Sequence, residues 1–112
     1  MVNDLSWKDF EKVKMRVGTI LEVHDFPEAR NPSYKLLIDF GEKYGIKSSS
    51  AQITSNYDKE ELIGTQVVAV VNFPPKQIAN FKSDCLVLGA VKGTDVTLIS
   101  PNKPVINGFR IE

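Results

Sequence analysis

The sequence predicts an all-β fold: a five-stranded barrel with a short N-terminal helix, a short helix between strands three and four, and an irregular C-terminal extension. Three observations predict it. Tyr34, Leu36, Ile38 and Phe40 alternate with Lys35, Leu37 and Asp39, the two-residue period of a strand with one buried face. Val67-Val68-Ala69-Val70-Val71 is the continuous apolar run of a strand covered on both faces. Between them Asp58 reads as an N-cap with Glu61 three residues on, and Gly64 as the residue past the helix end. With 112 residues the chain is expected to form one domain, 1–112. A domain of this size buries roughly two-thirds of its unfolded surface and stands without disulfides or metal.

Each element follows in order. Ser6 followed by Asp9 resembles a capping box, and Trp7, Phe10 and Val13 recur at helical spacing, which predicts a short amphipathic helix. From Met15 to Val23 the residues are mostly strand formers, with Val17, Thr19, Leu21 and Val23 expected on one face. Gly18 and the apolar Ile20 break strict alternation there, so a bulge or a strongly coiled strand is expected. Two prolines make Phe26 to Pro32 a loop. The alternating strand comes next, and Gly41 to Gly45 turns the chain into a third strand, Ile46 to Ile53, with Ser48, Ser49 and Ser50 at its centre. After the helix and the apolar run, Asn72-Phe73-Pro74-Pro75 ends strand four and Lys76 to Ser83 reads as a loop. Leu86 to Val91 and Val96 to Ser100 flank Lys92-Gly93-Thr94-Asp95, a hairpin turn with glycine available for positive φ. Pro101 to Glu112, with two prolines and a glycine, is expected to wrap irregularly over the body. Three strands, a short helix and then two strands is the order of the OB-fold. An SH3-like barrel competes, but the helix before strand four argues against it.

Composition limits function. Lys plus Arg equals Asp plus Glu at 14 each, so no overall basic field draws in nucleic acid, and any RNA binding must come from local clustering. The single cysteine, Cys85, has no internal partner, which fits a reducing compartment. The first residues lack the basic and apolar regions of a signal peptide, and the longest apolar run is far too short to span a bilayer. A cytoplasmic protein without membrane insertion is expected.

Catalytic patterns are not found. His24 is alone, with no His-x-x-His, Cys-x-x-Cys or Gly-x-Ser-x-Gly around it. Cys85 opens an apolar strand and reads as a buried small hydrophobe. Asp58, Glu60 and Glu61 suit a helix N-terminus. Ser48 to Ser50 have no identifiable general base. Neither an enzyme nor a metal or cofactor site is expected.

OB-folds bind ligands mainly across strands two and three, helped by the loops between strands one and two and four and five. On that map Arg30 and Asn31 fall in the first loop and Lys35 on strand two. Lys47, Ser48, Ser50 and Gln52 fall on strand three, and Lys76, Gln77 and Lys82 in the second loop. Small side chains on strand three would let a backbone or phosphate approach, with lysines supplying charge. The plainer reading is a solvated surface beside an edge strand. Phe26, Phe73 and Phe81 sit in loops, where each either stacks a base, lines a peptide pocket or packs over a barrel end. Trp7 and Phe10 are apolar surface beyond what one small barrel covers, so a dimer interface is expected there.

Two sets of residues add a resemblance. Arg16-Val17-Gly18-Thr19-Ile20, Phe26-Pro27-Glu28-Ala29-Arg30 and Lys35-Leu36-Leu37-Ile38-Asp39-Phe40-Gly41 resemble the tRNA-binding OB domain, which is appended to methionyl-tRNA synthetases and also occurs alone. Ser49 to Thr54 and the run from Val70 through Asn72-Phe73-Pro74-Pro75 to Ser83 resemble the CsaA family of export-related chaperones. This resemblance implies an OB-fold homodimer joined largely through the chain ends, acting on unfolded or secretory precursor polypeptides. The alternative it leaves open is structure-specific tRNA binding by the same basic groove. Matching positions give Arg30, Lys35, Lys47, Ser48, Ser50, Gln52, Lys76, Lys82 and Ser83 as ligand-binding residues. The chain departs from its tRNA-binding relatives at Ser83-Asp84-Cys85-Leu86, where they tend to have Ser-x-Gly-Met. It also has Asn80 where glycine is usual, and asparagine tolerates left-handed φ.

Overall fold

A computed structural model describes residues 3–112. Helix α1, Trp7–Glu11, starts at Ser6, whose side chain accepts from the Asp9 N–H at 3.0 Å. The reciprocal half of the capping box is replaced: the Asp9 carboxylate accepts from Lys12 Nζ, also at 3.0 Å.

Strand β1, Met15–Asp25, runs antiparallel between β2, Tyr34–Asp39, and β4, Gln66–Val70. Its register with β2 shifts between Ile20 and Glu22, so the expected bulge is present. The bulge also corrects the expected face. Ile20 and Val23 enter the core while Leu21 turns to solvent, because the extra residue reverses the in–out phase. Val17 is buried on the other side of the wall, where its N–H and C=O bond Phe109 and Gly108 at 3.0 and 2.7 Å. Gly18 faces the interior: a Cβ there would lie 2.6 Å from Ile38 Cγ2 and 2.8 Å from the Phe40 ring. Only glycine fits that contact.

Strand β2 follows its alternation, with Tyr34, Leu36 and Ile38 buried and Lys35, Leu37 and Asp39 half-buried. Strand β3, Ile46–Ala51, pairs with it in register Lys35↔Ser50, Leu36↔Ser49 and Leu37↔Ser48. Helix α2, Lys59–Leu62, follows Asp58, whose N–H donates to Glu61 Oε1 at 2.7 Å, and buries Leu62. Residues Val67 to Val70 are all buried, as the unbroken apolar run requires.

The segment expected to be a loop at 76–83 is instead a small hairpin, β5, Lys76–Ile78, with β6, Phe81–Ser83. Its two-residue turn puts the positive φ at Ala79, at 50°, and not at Asn80. The final strand pair also divides. Strand β7, Leu86–Val87, joins β4, while β8, Gly89–Lys92, and β9, Asp95–Leu98, form their own hairpin around Gly93. Leu88 connects the two, its N–H on Val68 O and its C=O on the Ile99 N–H.

The main sheet runs β3-β2-β1-β4-β7 and curls into a nearly closed five-stranded barrel filled by Ile20, Leu36, Ile38, Phe40, Leu62 and Val67. Each such side chain contributes about 1.5–3 kcal/mol on leaving water. Where β3 and β7 approach, one backbone bond, Asp84 N–H to Ser48 O at 2.7 Å, helps draw the barrel together. The C-terminal extension is less irregular than expected. Its end forms β10, Arg110–Ile111, paired with Met15 and Arg16 of β1. Gln66 donates to Val105 O at 2.6 Å and accepts from its N–H at 3.0 Å, fastening the extension to the wall.

Candidate functional site

The candidate site lies along the seam between β3 and β7. Along β3 the odd residues bond into β2's ladder and the even ones turn their backbone outward. The Ser48 N–H and hydroxyl both donate to Asp84 Oδ2, at 3.3 and 3.0 Å, and the Ser50 N–H donates to Ser83 Oγ at 3.1 Å. Ser49 points inward and is fully buried, and its hydroxyl donates to Cys85 O at 3.0 Å. Serines in mid-strand therefore have a physical role: each short hydroxyl or exposed amide takes a partner from residues 82–85.

Two cavities open along this seam. The larger, about 530 Å³, lies between the end of β3 and the β8–β9 hairpin, and includes Asn31, Ile53, Leu86, Val91 and Leu98 in its lining. The smaller, about 380 Å³, is lined by Phe73, Pro74, Lys76, Ile78, Ser83 and Cys85 with Ser50, Gln52 and Leu86. Ser50, Gln52 and Leu86 belong to both, so the cavities adjoin. Among the described residues no carboxylate lines either one, and Lys76 supplies the sole charge.

Of the residues expected from sequence, Ser50, Gln52, Lys76 and Ser83 come together at these cavities. Ser48 and Lys82 sit beside them, the Ser48 hydroxyl also reaching Lys82 O at 3.1 Å. Lys35 is cross-strand from Ser50, but its ammonium lies 5.5 and 5.9 Å from the Phe26 and Phe81 ring centroids. Lys47 shares the inward face of β3 with Ser49, opposite Ile38. Arg30 is exposed in the β1–β2 loop and lines neither cavity.

The loop aromatics divide. Phe26 is buried and meets Phe81 edge-to-face at 5.4 Å, so this pair packs against itself. Phe73 is half exposed and lines the smaller cavity. Ile78 and Leu86 were not among the expected site residues: Ile78 falls in a segment that reads as a loop, and Leu86 in an apolar strand pattern that looks like core.

Cys85 is a neutral thiol at ordinary pH. Burial, helped by the nearby Asp84 charge, pushes it up to about 12, away from nucleophilic use. Among the described residues no group of three His, Cys, Asp or Glu side chains is placed to hold a metal ion, and no helix is long and apolar enough to cross a membrane. Such an arrangement can hold a ligand by shape and hydrogen bonds.

Known proteins resemble the chain along its length. Residues 15–110 match the family described as "Putative tRNA binding domain". The chain is 37% identical over 107 residues to a methionine–tRNA ligase of Nanoarchaeum equitans, covering 96% of this chain and 13% of that protein. A methionine–tRNA ligase of Thermococcus kodakarensis is 36% identical over 107 residues, again 96% of this chain and 14% of that protein. The chain thus spans a small part of these relatives. Among solved structures, chaperone CsaA of Bacillus anthracis is 50% identical with a TM-score of 0.92, covering 97% of this chain and 99% of that one. The CsaA chaperone protein of Picrophilus torridus is 54% identical with a TM-score of 0.91, covering 97% and 100%.

Proposed function

Because this chain belongs to the tRNA-binding domain family, whose model matches residues 15–110, we propose that it is a non-catalytic OB-fold module acting as an export-related chaperone. In this reading a cytoplasmic homodimer holds unfolded or precursor polypeptides at the seam between β3 and β7. The observation that carries it is the pair of adjoining cavities, apolar in much of their lining and, among the described residues, charged only at Lys76. Such walls suit apolar side chains of an extended chain and offer little to a run of phosphates. The similarity to two CsaA chaperones over nearly their whole length supports the same reading.

The test is anisotropy of a labelled apolar peptide at two ionic strengths. Binding is expected to change little with salt and to weaken at least about tenfold in Leu86→Asp, which places an unpaired charge between the cavities. Leu86 is half exposed, so this variant should fold. Salt-insensitive binding that ignores Leu86→Asp, or no binding, overturns the reading.

The family match itself favours a second reading, tRNA held by Lys76, Lys82, Arg30 and neighbouring backbone donors. It requires log affinity to fall steeply with log salt, and Lys76→Ala with Lys82→Ala to reduce that slope by about one per lost phosphate contact. A flat salt dependence counts against it.

The dimer is supported by exposed apolar side chains at both chain ends: Leu5, Trp7 and Val13 near α1, Ile106 and Phe109 in the extension. Arg110 Nη2 donates to Glu11 O at 3.3 Å, which brings the two ends together. Phe10 is half-buried beside them. Sedimentation of the wild type against a Trp7→Ala, Phe10→Ala variant tests this: a dimer is expected to become a monomer, and a monomer in both removes the interface.

A further inference from the structure

The outward edge of β3 is fastened along half its length and open along the rest. Ser48 gives its N–H to Asp84 Oδ2 and receives the Asp84 N–H at its C=O, and the Ser50 N–H goes to Ser83 Oγ. Beyond that point the fastening stops. The Ser50 C=O points the same way as its N–H, yet among the described residues it meets only the Ser49 hydroxyl, at 3.4 Å. The next residue of that parity, Gln52, is exposed, and among the described residues neither its backbone nor its side chain forms a hydrogen bond. An open strand edge of this kind is a template for another strand. It also lies in the wall shared by the two cavities, since Ser50 and Gln52 line both.

Building on the polypeptide reading above, we propose that the ligand binds as an added β-strand: its backbone pairs with the Ser50 C=O and the Gln52 peptide group while its apolar side chains enter the cavities on either side. Among the described residues the lining holds no carboxylate to attract a basic side chain, and Lys76 is its one charged group, so apolar walls dominate what a ligand meets. Backbone pairing reads no sequence, so it suits a protein that accepts many unfolded chains. The cavities add a preference for apolar residues. A strand has its N–H groups on alternate sides, so only every second amide of the ligand meets β3. The other amides face away from the edge.

That parity is the test. The probe is a blocked, fluorescein-labelled heptapeptide of alternating leucine and threonine, compared with two versions N-methylated on odd or on even amides. One parity is expected to bind about tenfold more weakly than the parent and the other within about twofold, since a lost hydrogen bond contributes on the order of one decade in affinity. Labelled protein should also show slowed hydrogen exchange at the Gln52 amide when the parent peptide is bound. Equal binding of both methylated versions, or equal weakening, with Gln52 exchange unchanged overturns strand pairing. If the parent's binding still depends on Leu86, the polypeptide reading survives that result. A parent peptide that does not bind at all overturns both.

Discussion

Ser49→Ala removes a single oxygen from the barrel interior, and its cost can be worked from the structure. The Ser49 side chain is fully buried, and its hydroxyl donates to Cys85 O at 3.0 Å. The other donor near that carbonyl, Ser83 Oγ, stands at 3.4 Å. Without Ser49 a buried acceptor loses its good partner, which costs about 1–3 kcal/mol. For a chain of 112 residues the unfolding entropy is about 0.24 kcal/mol/K, so a 2 kcal/mol loss lowers Tm by about 8 °C. Ser48→Ala is the control: its hydroxyl also has two partners but reaches solvent, so water replaces it and Tm should fall by about 2 °C or less. Thermal unfolding followed by circular dichroism, with both variants in one buffer, measures the difference. Because the Ser49 bond joins β3 to the start of β7, peptide affinity at the seam should fall in the same variant. If Ser49→Ala melts with Ser48→Ala, the buried bond does not hold the seam and the argument for its serines fails.

Three further outcomes are expected. Ala79→Gly should raise stability by about 1 kcal/mol in urea unfolding, because alanine at φ 50° occupies left-handed backbone that glycine adopts without penalty; a loss of stability would refute this. Gly18→Ala should destabilise by about 1–3 kcal/mol, since its Cβ would stand 2.6 Å from Ile38 Cγ2 against the Phe40 ring, and an unchanged urea midpoint would show that the barrel yields there. The Cys85 thiol is raised by burial from 9.0 to about 12, so its stabilising contribution is whole below pH 9 and declines as pH rises towards 12. Iodoacetamide at pH 9 should accordingly modify the native chain far more slowly than the urea-unfolded one, and equal rates would contradict the burial.

The parts of the fold that sequence reveals are those where burial alternates with a fixed period. Tyr34, Leu36 and Ile38 are buried because strand period and barrel interior coincide, and Val67 to Val70 are covered on both faces. The bulge near Leu21 was legible as a break in pattern, but not the phase it leaves behind, since that depends on which residue slips against β2. The β5–β6 hairpin was hidden because three-residue strands carry almost no periodicity and Ala79-Asn80 lacks the usual turn glycine. At the site, Ser50, Gln52, Lys76 and Ser83 were legible through topology and resemblance. The inward side of Lys47 was available from its odd parity against Ser48 and Ser50. The cover of Phe26 and Phe81 over Lys35 was not, because the β1–β2 loop and the β5–β6 hairpin meet there only after the barrel curls.

The Gln66 carboxamide meets Val105 as a second peptide group would, giving one hydrogen bond and receiving one. The extension it clasps lies on Val17, which stays dry only while that stretch is seated. Lifting the last residues would therefore bare an apolar stave, so the terminal segment and the barrel should melt as one cooperative unit instead of fraying in sequence. The clasp is uncharged and indifferent to acid, yet Gln66→Glu would set oxygen against oxygen at Val105 and turn a latch into a wedge.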